Sequence, residues 1–230
     1  MSASAVEAAP HHKEHLLSHS VSRQTTNHVP EPVAPIAELM SVFRAPWALC
    51  GGWAVDAWLG RQTRDHADVD ISVFIQDQRA LFDHLAGWQL VAHDPHVDGG
   101  TSEPWDGRSL DLPAHIHGRS PHRDRLPDGL DDPLADFELD IQINERSDLD
   151  WIFNREPPIV MPVSRCVRQS AWGLPTVAPE VLLFYKAGDL RRRDKRDFLA
   201  LLPHLTDEQR DWLRNAISLV GHPWLAQLST

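Results

Sequence analysis

The chain has 230 residues, 42% hydrophobic and 24% charged, which gives enough apolar content for a real core and too much for global disorder. No apolar run approaches the roughly 18 to 20 residues of a membrane-spanning helix, and no basic segment followed by an apolar stretch marks a secretory leader. Cys50 and Cys166 make neither a metal cage nor a disulfide framework and suit a reducing cytoplasm, while 33 acids against 22 Lys and Arg leave a charge of -11 that argues against broad nucleic-acid backbone binding.

Residues 1 to 35 read as a disordered tail: histidines at 11, 12, 15, 19 and 28, prolines at 10, 30, 32 and 35, and no apolar period. Helical spacing starts near Pro35, with Ile36, Leu39, Met40 and Phe43 on one side. Ala48 to Cys50 read as a short strand running into Gly51 and Gly52. A helix then follows through `WAVDAWLG`, stopped by Gly60. A paired-glycine turn before a helix lets the backbone approach a ligand, and the free N–H groups there can meet an anion.

The segment `DVDISVFI` alternates. Val69, Ile71, Val73 and Ile75 face one way; Asp68, Asp70, Ser72 and Phe74 face the other. Residues 77 to 86 predict a helix and `WQLVAHD` a strand. A Pro, Gly and Asp-rich region follows, with a strand-like piece in `LDLPAHIH`. `FELDIQIN` alternates strictly, with Glu138, Asp140, Gln142 and Asn144 on one face, and `WIFN` reads as its partner. From about Thr176 the pattern turns helical: one helix through Val181 to Tyr185 with Pro179 in its first turn, one carrying Phe198, Leu201 and Leu202, one over 207 to 219, and a last turn in `HPWLAQL`. The expected fold is α+β, a mixed sheet with flanking helices over residues 36 to 160, followed by a C-terminal helical bundle over 176 to 230.

Charge is uneven along this frame. Residues 94 to 150 carry 15 acids and 5 bases, whereas residues 186 to 196 carry 6 bases and 2 acids. One surface thus suits a cation and another suits phosphate.

The chemistry centres on Asp68 and Asp70. Carboxylates at i and i+2 of a strand point the same way, and crowding two like charges is costly unless a cation joins them. Magnesium accepts such oxygens together with phosphate. Alone, D-x-D is common and reads equally as a polar strand face. With a Gly-Gly turn upstream and Glu138 and Asp140 on a later strand, three carboxylates can converge if the strands are neighbours. Two would hold one or two Mg²⁺ ions and the third would activate a hydroxyl, which is what nucleotidyl transfer requires.

`LCGGWAVDAWLGRQTRDHADVDISVF` resembles the nucleotide-binding signature of antibiotic nucleotidyltransferases, and in particular the aminoglycoside 2''-adenylyltransferase-like family of the polymerase-beta-like superfamily. `FELDIQINE`, `DWIFNREPPI`, `APEVLLFYKAGDLRRRDKRDF` and `HPWLAQL` resemble the same group. The resemblance runs from about residue 40 to 228. It implies a nucleotidyltransferase core with a C-terminal helical domain, nucleotide contact at Gly51 and Gly52, and metal-binding carboxylates at Asp68 and Asp70. It implies a third carboxylate within `FELD`, with Glu138 slightly preferred over Asp140 as a metal-binding and catalytic group. Trp53 departs from the Ser that many superfamily members carry after the glycines, which removes a phosphate-holding hydroxyl.

Among the bases, Arg64 and Lys186 are candidates for the triphosphate, since a guanidinium forks onto phosphate oxygens and Lys186 closes an otherwise apolar helix. His66 reads as a brace for a carboxylate or a loop. Trp105, in `SEPWDG`, is a candidate substrate-loop residue, and Asp106, Asp124 and Asp128 are candidate partners for substrate ammonium groups. The resulting expectation is Mg²⁺-dependent transfer of a nucleoside monophosphate from an NTP, with ATP first, to a hydroxylated small molecule such as an aminoglycoside, as in antibiotic resistance. The alternatives are a transferase acting on tRNA or protein, and a degenerate nucleotide-binding or interaction protein. The position of the strand bearing Glu138 and Asp140 relative to Asp68 and Asp70 separates the catalytic readings from the degenerate one.

Overall fold

A computed structural model describes residues 28–94, 101–121, 138–153, 159–188, 191–219 and 221–228. Of the tail expected over residues 1 to 35, residues 1 to 27 lie outside the described residues, and Val33 is already buried ahead of the first helix.

α1 (Ala34–Ser41) carries Pro35 in its first turn and buries Ile36 and Met40. β1 (Trp47–Leu49) runs into α2 (Gly51–Leu59), which ends at Gly60. β2 (Val69–Phe74), α3 (Gln78–His84) and β3 (Gln89–Asp94) follow, as the periodicity predicts. Then come β4 (Thr101–Pro104), β5 (His115–Arg119), β6 (Leu139–Ser147), β7 (Asp150–Phe153) and β8 (Ile159–Pro162). A short α4 (Val163–Cys166), β9 (Val167–Gln169) and β10 (Pro175–Val177) lead to α5 (Pro179–Lys186), α6 (Arg192–Leu201), α7 (Asp207–Ser218) and α8 (Leu225–Leu228). β4, β8 and β9 carry no sequence signal of their own, being three or four residues long.

The main sheet runs β4-β3-β5-β6-β2-β1-β10-β9. It is mixed: β2 pairs parallel with β6, and β1 parallel with β10, while the other neighbours are antiparallel. The architecture is α+β, a mixed sheet with flanking helices followed by a C-terminal helical region. The first residues of the segment expected as helical, from Thr176, form part of a sheet strand.

The long β6 pairs with β5 and β2 along its first part and with β7 at its end. Residues 139 to 144 lie against β2, whereas Glu145 to Ser147 pair with β7. That divergence brings Trp151 of β7 edge-on to Phe74 at 5.1 Å. The acid-bearing face of β2 is therefore closed at one end, where Ser72 and Phe74 are buried, and open at the other, where Asp68 and Asp70 remain half-buried. Phe153 of β7, Phe184 of α5 and Trp212 of α7 pack within 6 Å of one another, Phe184 edge-on to the other two, and join the helices to the sheet. α2 packs against both α5 and α6. Among the described residues, no helix is long and apolar enough to cross a membrane.

Candidate active site

Two glycines set the geometry. β1 lies antiparallel to β2, with Leu49 opposite Ile71, and the Cys50 N–H donates to the Asp70 carbonyl at 2.9 Å. The chain must then turn into α2 directly beside Asp70. Gly51 does so at φ 63, and a Cβ on it would stand 1.9 Å from Asp70 Oδ2. Only glycine supplies both that dihedral and that clearance. The Gly52 N–H hydrogen-bonds the Asp70 carboxylate, so the acid sits on the N-terminus of α2. A Cβ on Gly52 would stand 2.3 Å from His66 Nδ1 and 2.5 Å from Arg64 Nη2. The second glycine thus makes room for the loop that precedes β2.

The strand register decides which acids meet. Asp70 lies opposite Asp140, with Val69 opposite Leu139 and Ile71 opposite Ile141. Neighbouring strands are about 4.8 Å apart, so the two carboxylates share one face side by side. Asp140 Oδ2 accepts from Gln142 Nε2 at 3.1 Å. Its Oδ1 is buried and accepts no hydrogen bond, with His117 Nδ1 4.0 Å away. Burial, then the charges of Asp70 and Asp68, push the Asp140 carboxyl up to about 8. Burial and Asp68 push Asp70 up to about 6, against the opposing pull of Lys186, the Gly52 N–H and His66. The Cys50 thiol is raised by its burial and by the same two acids.

Glu138 is placed otherwise. Its Oε1 accepts from the Ser120 N–H at 2.9 Å, and it shares with Asp68 a pocket walled by Trp53 and Trp88. Asp140, not Glu138, is the neighbour of Asp70. The expected meeting of three acids is present as mutual electrostatic crowding of Asp68, Asp70 and Asp140. Among the described residues, no three His, Cys, Asp or Glu side chains form a cage for a metal ion. Magnesium does not need one: it keeps several waters and takes one or two carboxylates beside phosphate oxygens. Asp68 and Asp70, whose charges crowd each other, fit that demand.

A cleft opens beside Asp70 and Gly51, with Ser72, Asn144, Tyr185 and Lys186 in its wall. Asn144 Nδ2 donates to Ser72 Oγ at 2.7 Å, and the Tyr185 hydroxyl donates to Asn144 Oδ1 at 3.0 Å while accepting from Trp151 Nε1. Sequence reasoning did not single out this neutral network. Its signal was present, since Ser72 and Asn144 continue the acid-bearing faces of the two alternating strands. The histidine row beside Asp140 was also missed. His115 lies 4.6 Å from the tilted His93 ring and edge-on to His117 at 5.0 Å, and burial followed by those two rings pulls it down to about 4.

His66 is the brace expected of it. Its Nε2 lies 2.7 Å from Asp56 Oδ2, its ring stacks on Trp53 at 4.2 Å, and Thr63 Oγ1 donates to the other Asp56 oxygen. Trp105 is not a substrate-loop residue: it is buried, packs edge-on against Phe82 and donates its indole N–H to the Arg108 carbonyl at 2.8 Å. Asp106 is exposed and already engaged by Arg108, whose backbone N–H holds its carboxyl below the usual range. Asp124 and Asp128 lie outside the described residues.

Comparison with known proteins agrees with this layout. Residues 33–94, from α1 to the end of β3, match the family model of aminoglycoside-2''-adenylyltransferase. The chain is similar to the lincomycin-bound crystal structure of the lincosamide antibiotic adenylyltransferase LnuA, at 19% identity and a TM-score of 0.50 over 76% of this chain and 97% of that one. It is similar to the solution structure of the antibiotic-resistance factor ANT(2'')-Ia, at 17% identity and a TM-score of 0.51 over 81% of this chain and 89% of that one. No curated protein matches the chain. The fold is that of antibiotic-modifying nucleotidyltransferases.

Proposed function

We propose that the protein transfers a nucleoside monophosphate from a nucleoside triphosphate, ATP first, to a hydroxyl of a small molecule, releasing pyrophosphate. One observation carries this reading: Asp70 and Asp140 stand side by side on parallel strands, at the N-terminus of a helix and beside a cleft. Asp68 and Asp70 would hold Mg²⁺, which supplies charge neutralisation at the phosphate oxygens.

The chain's own residues do the rest. N–H groups at the start of α2 receive phosphate oxygens. Arg64 and Lys186 offset the remaining negative charge. Asp140, the carboxylate set beside Asp70, takes the proton of the attacking hydroxyl. The hydroxyl oxygen bonds to the α-phosphorus as the bond from that phosphorus to the pyrophosphate oxygen breaks. The departing charge stays under Arg64 and Lys186.

An aminoglycoside is the favoured acceptor. Residues 94 to 150 carry ten more acids than bases, 15 against 5, which favours encounter with a polycation. The family model matched at residues 33–94 supports the same class. The test is mass spectrometry of aminoglycoside, lincosamide and RNA pools incubated with ATP or GTP and Mg²⁺. The expected product is an aminoglycoside heavier by one nucleoside monophosphate, absent with Asp70→Asn. A folded protein that modifies no member of any pool refutes the proposal.

A further inference from the structure

The basic run from Lys186 to Arg196 is sorted by two buried acids. Asp194 and Asp197 lie one turn apart on α6, 0% and 2% exposed. Carboxylates so buried are costly unless paired. Their partners come from three separate parts of the chain. Asp197 Oδ2 lies 2.7 Å from Lys186 Nζ, at the end of α5. The same carboxylate receives Arg64, from the loop before β2, through Nε at 3.3 Å and Nη2 at 3.3 Å. Asp194 receives Lys186 Nζ at 3.4 Å and Arg191 Nε at 2.8 Å.

These cations lie around the start of α2 and the cleft beside it. Arg64 Nη2 occupies the space where a Cβ on Gly52 would stand, over the N-terminus of α2. Lys186 and Arg191 line the cleft with Gly51 and Asp70, and the charge of Lys186 acts on Asp70. Lys186 therefore has two sets of acids within its field: Asp70 across the cleft, and Asp194 with Asp197 behind it. A lysine stem is rich in rotamers, so holding it in advance spares their loss when an anion binds.

We infer that Asp197, supported by Asp194, is a positioning residue for the phosphate end of the nucleotide. It fixes Arg64 and Lys186 together over the start of α2, and it keeps Lys186 from closing onto Asp70. The inference rests on the nucleotide reading of the cleft. It places the determinant of phosphate binding on α6, on a side chain that touches no nucleotide.

The test is a thermodynamic cycle on MgATP binding, measured by calorimetry with a non-hydrolysable ATP analogue and paired with KM and kcat. Four proteins are compared: wild type, Asp197→Asn, the Arg64→Ala/Lys186→Ala double variant, and the triple variant. Contacting groups of this kind are coupled, so Asp197→Asn should weaken binding roughly tenfold in the wild-type background. KM for ATP should rise more than kcat falls. In the double-variant background the same substitution should change little, because the cations through which Asp197 acts are gone. An equal loss in both backgrounds, or no loss in wild type, overturns the inference and leaves the nucleotide reading standing. Failure of wild type to bind either MgATP or MgGTP overturns both. Should Asp197→Asn not fold, Asp197→Glu serves instead: it keeps the charge and moves it relative to Arg64 and Lys186. Severalfold weaker binding is then expected, and unchanged binding overturns the inference.

Discussion

Raising the pH should loosen the metal-free protein, and Asp140 should be the main cause. Its carboxyl sits at about 8 in the folded chain, and Asp70 at about 6, both raised by burial and by the neighbouring acids. In the unfolded chain both groups release their protons near pH 4. The folded protein then holds protons that the unfolded chain has lost, so stability falls as pH rises. From about pH 5 to 6 both groups contribute; from about 6 to 8 Asp140 alone does, at roughly 1.4 kcal/mol per pH unit before relaxation of the coupled pair. An effect of about 2 kcal/mol over that second window corresponds to roughly 4–8 °C in Tm for a chain of this size. Asp140→Asn has nearly the same shape and cannot ionise. The assay is thermal unfolding by circular dichroism, in chelator, of both proteins at about pH 6, 7 and 8. Titrations of groups remote from Asp140 cancel in the difference. The Asn variant should gain on wild type by about 2 kcal/mol from the lowest to the highest of these pH values. Millimolar Mg²⁺ should restore wild type more at the highest pH than at the lowest, and move the variant less. A wild-type-minus-variant difference that stays constant with pH would refute the claim that these acids crowd one another.

Gly51→Ala places a Cβ 1.9 Å from Asp70 Oδ2 on a backbone at φ 63. The left-handed strain costs about 1–2 kcal/mol, and displacement of the carboxylate should lower kcat by roughly 10²-fold, measured on the acceptor found by mass spectrometry. Thr206→Ala removes the capping box of α7, in which Thr206 and Gln209 bond each other's backbone N–H groups. It should cost about 1 kcal/mol in urea unfolding and leave kcat unchanged. Phe198→Ala removes a ring that is 0% exposed and stacked on Trp224 at 4.2 Å. The cavity should cost about 3–5 kcal/mol, read as a lower urea midpoint at unchanged slope.

Much of the site was legible because its parts are local. Gly51 and Gly52 announce a turn that side chains would block, and the alternation of `DVDISVFI` and `FELDIQIN` shows which residues share a strand face. Period two placed Asp68 with Asp70, and Glu138 with Asp140, without any structure. It could not choose between Glu138 and Asp140, since both lie on the same face of the same strand. That choice belongs to register: the parallel pairing sets Asp140 beside Asp70 and leaves Glu138 with the Ser120 N–H. `SEPWDG` reads as a loop, yet Trp105 is buried, because burial depends on what packs from elsewhere, here Phe82. The pairing of Arg64 with Asp197 spans 133 residues of chain and leaves no trace in either segment. Sequence alone determined the conformations and faces that neighbouring residues dictate by steric limits and period. Only tertiary structure decided which faces meet and which charges share a buried space, because those depend on hydrogen-bond ladders and packing between segments far apart in the chain.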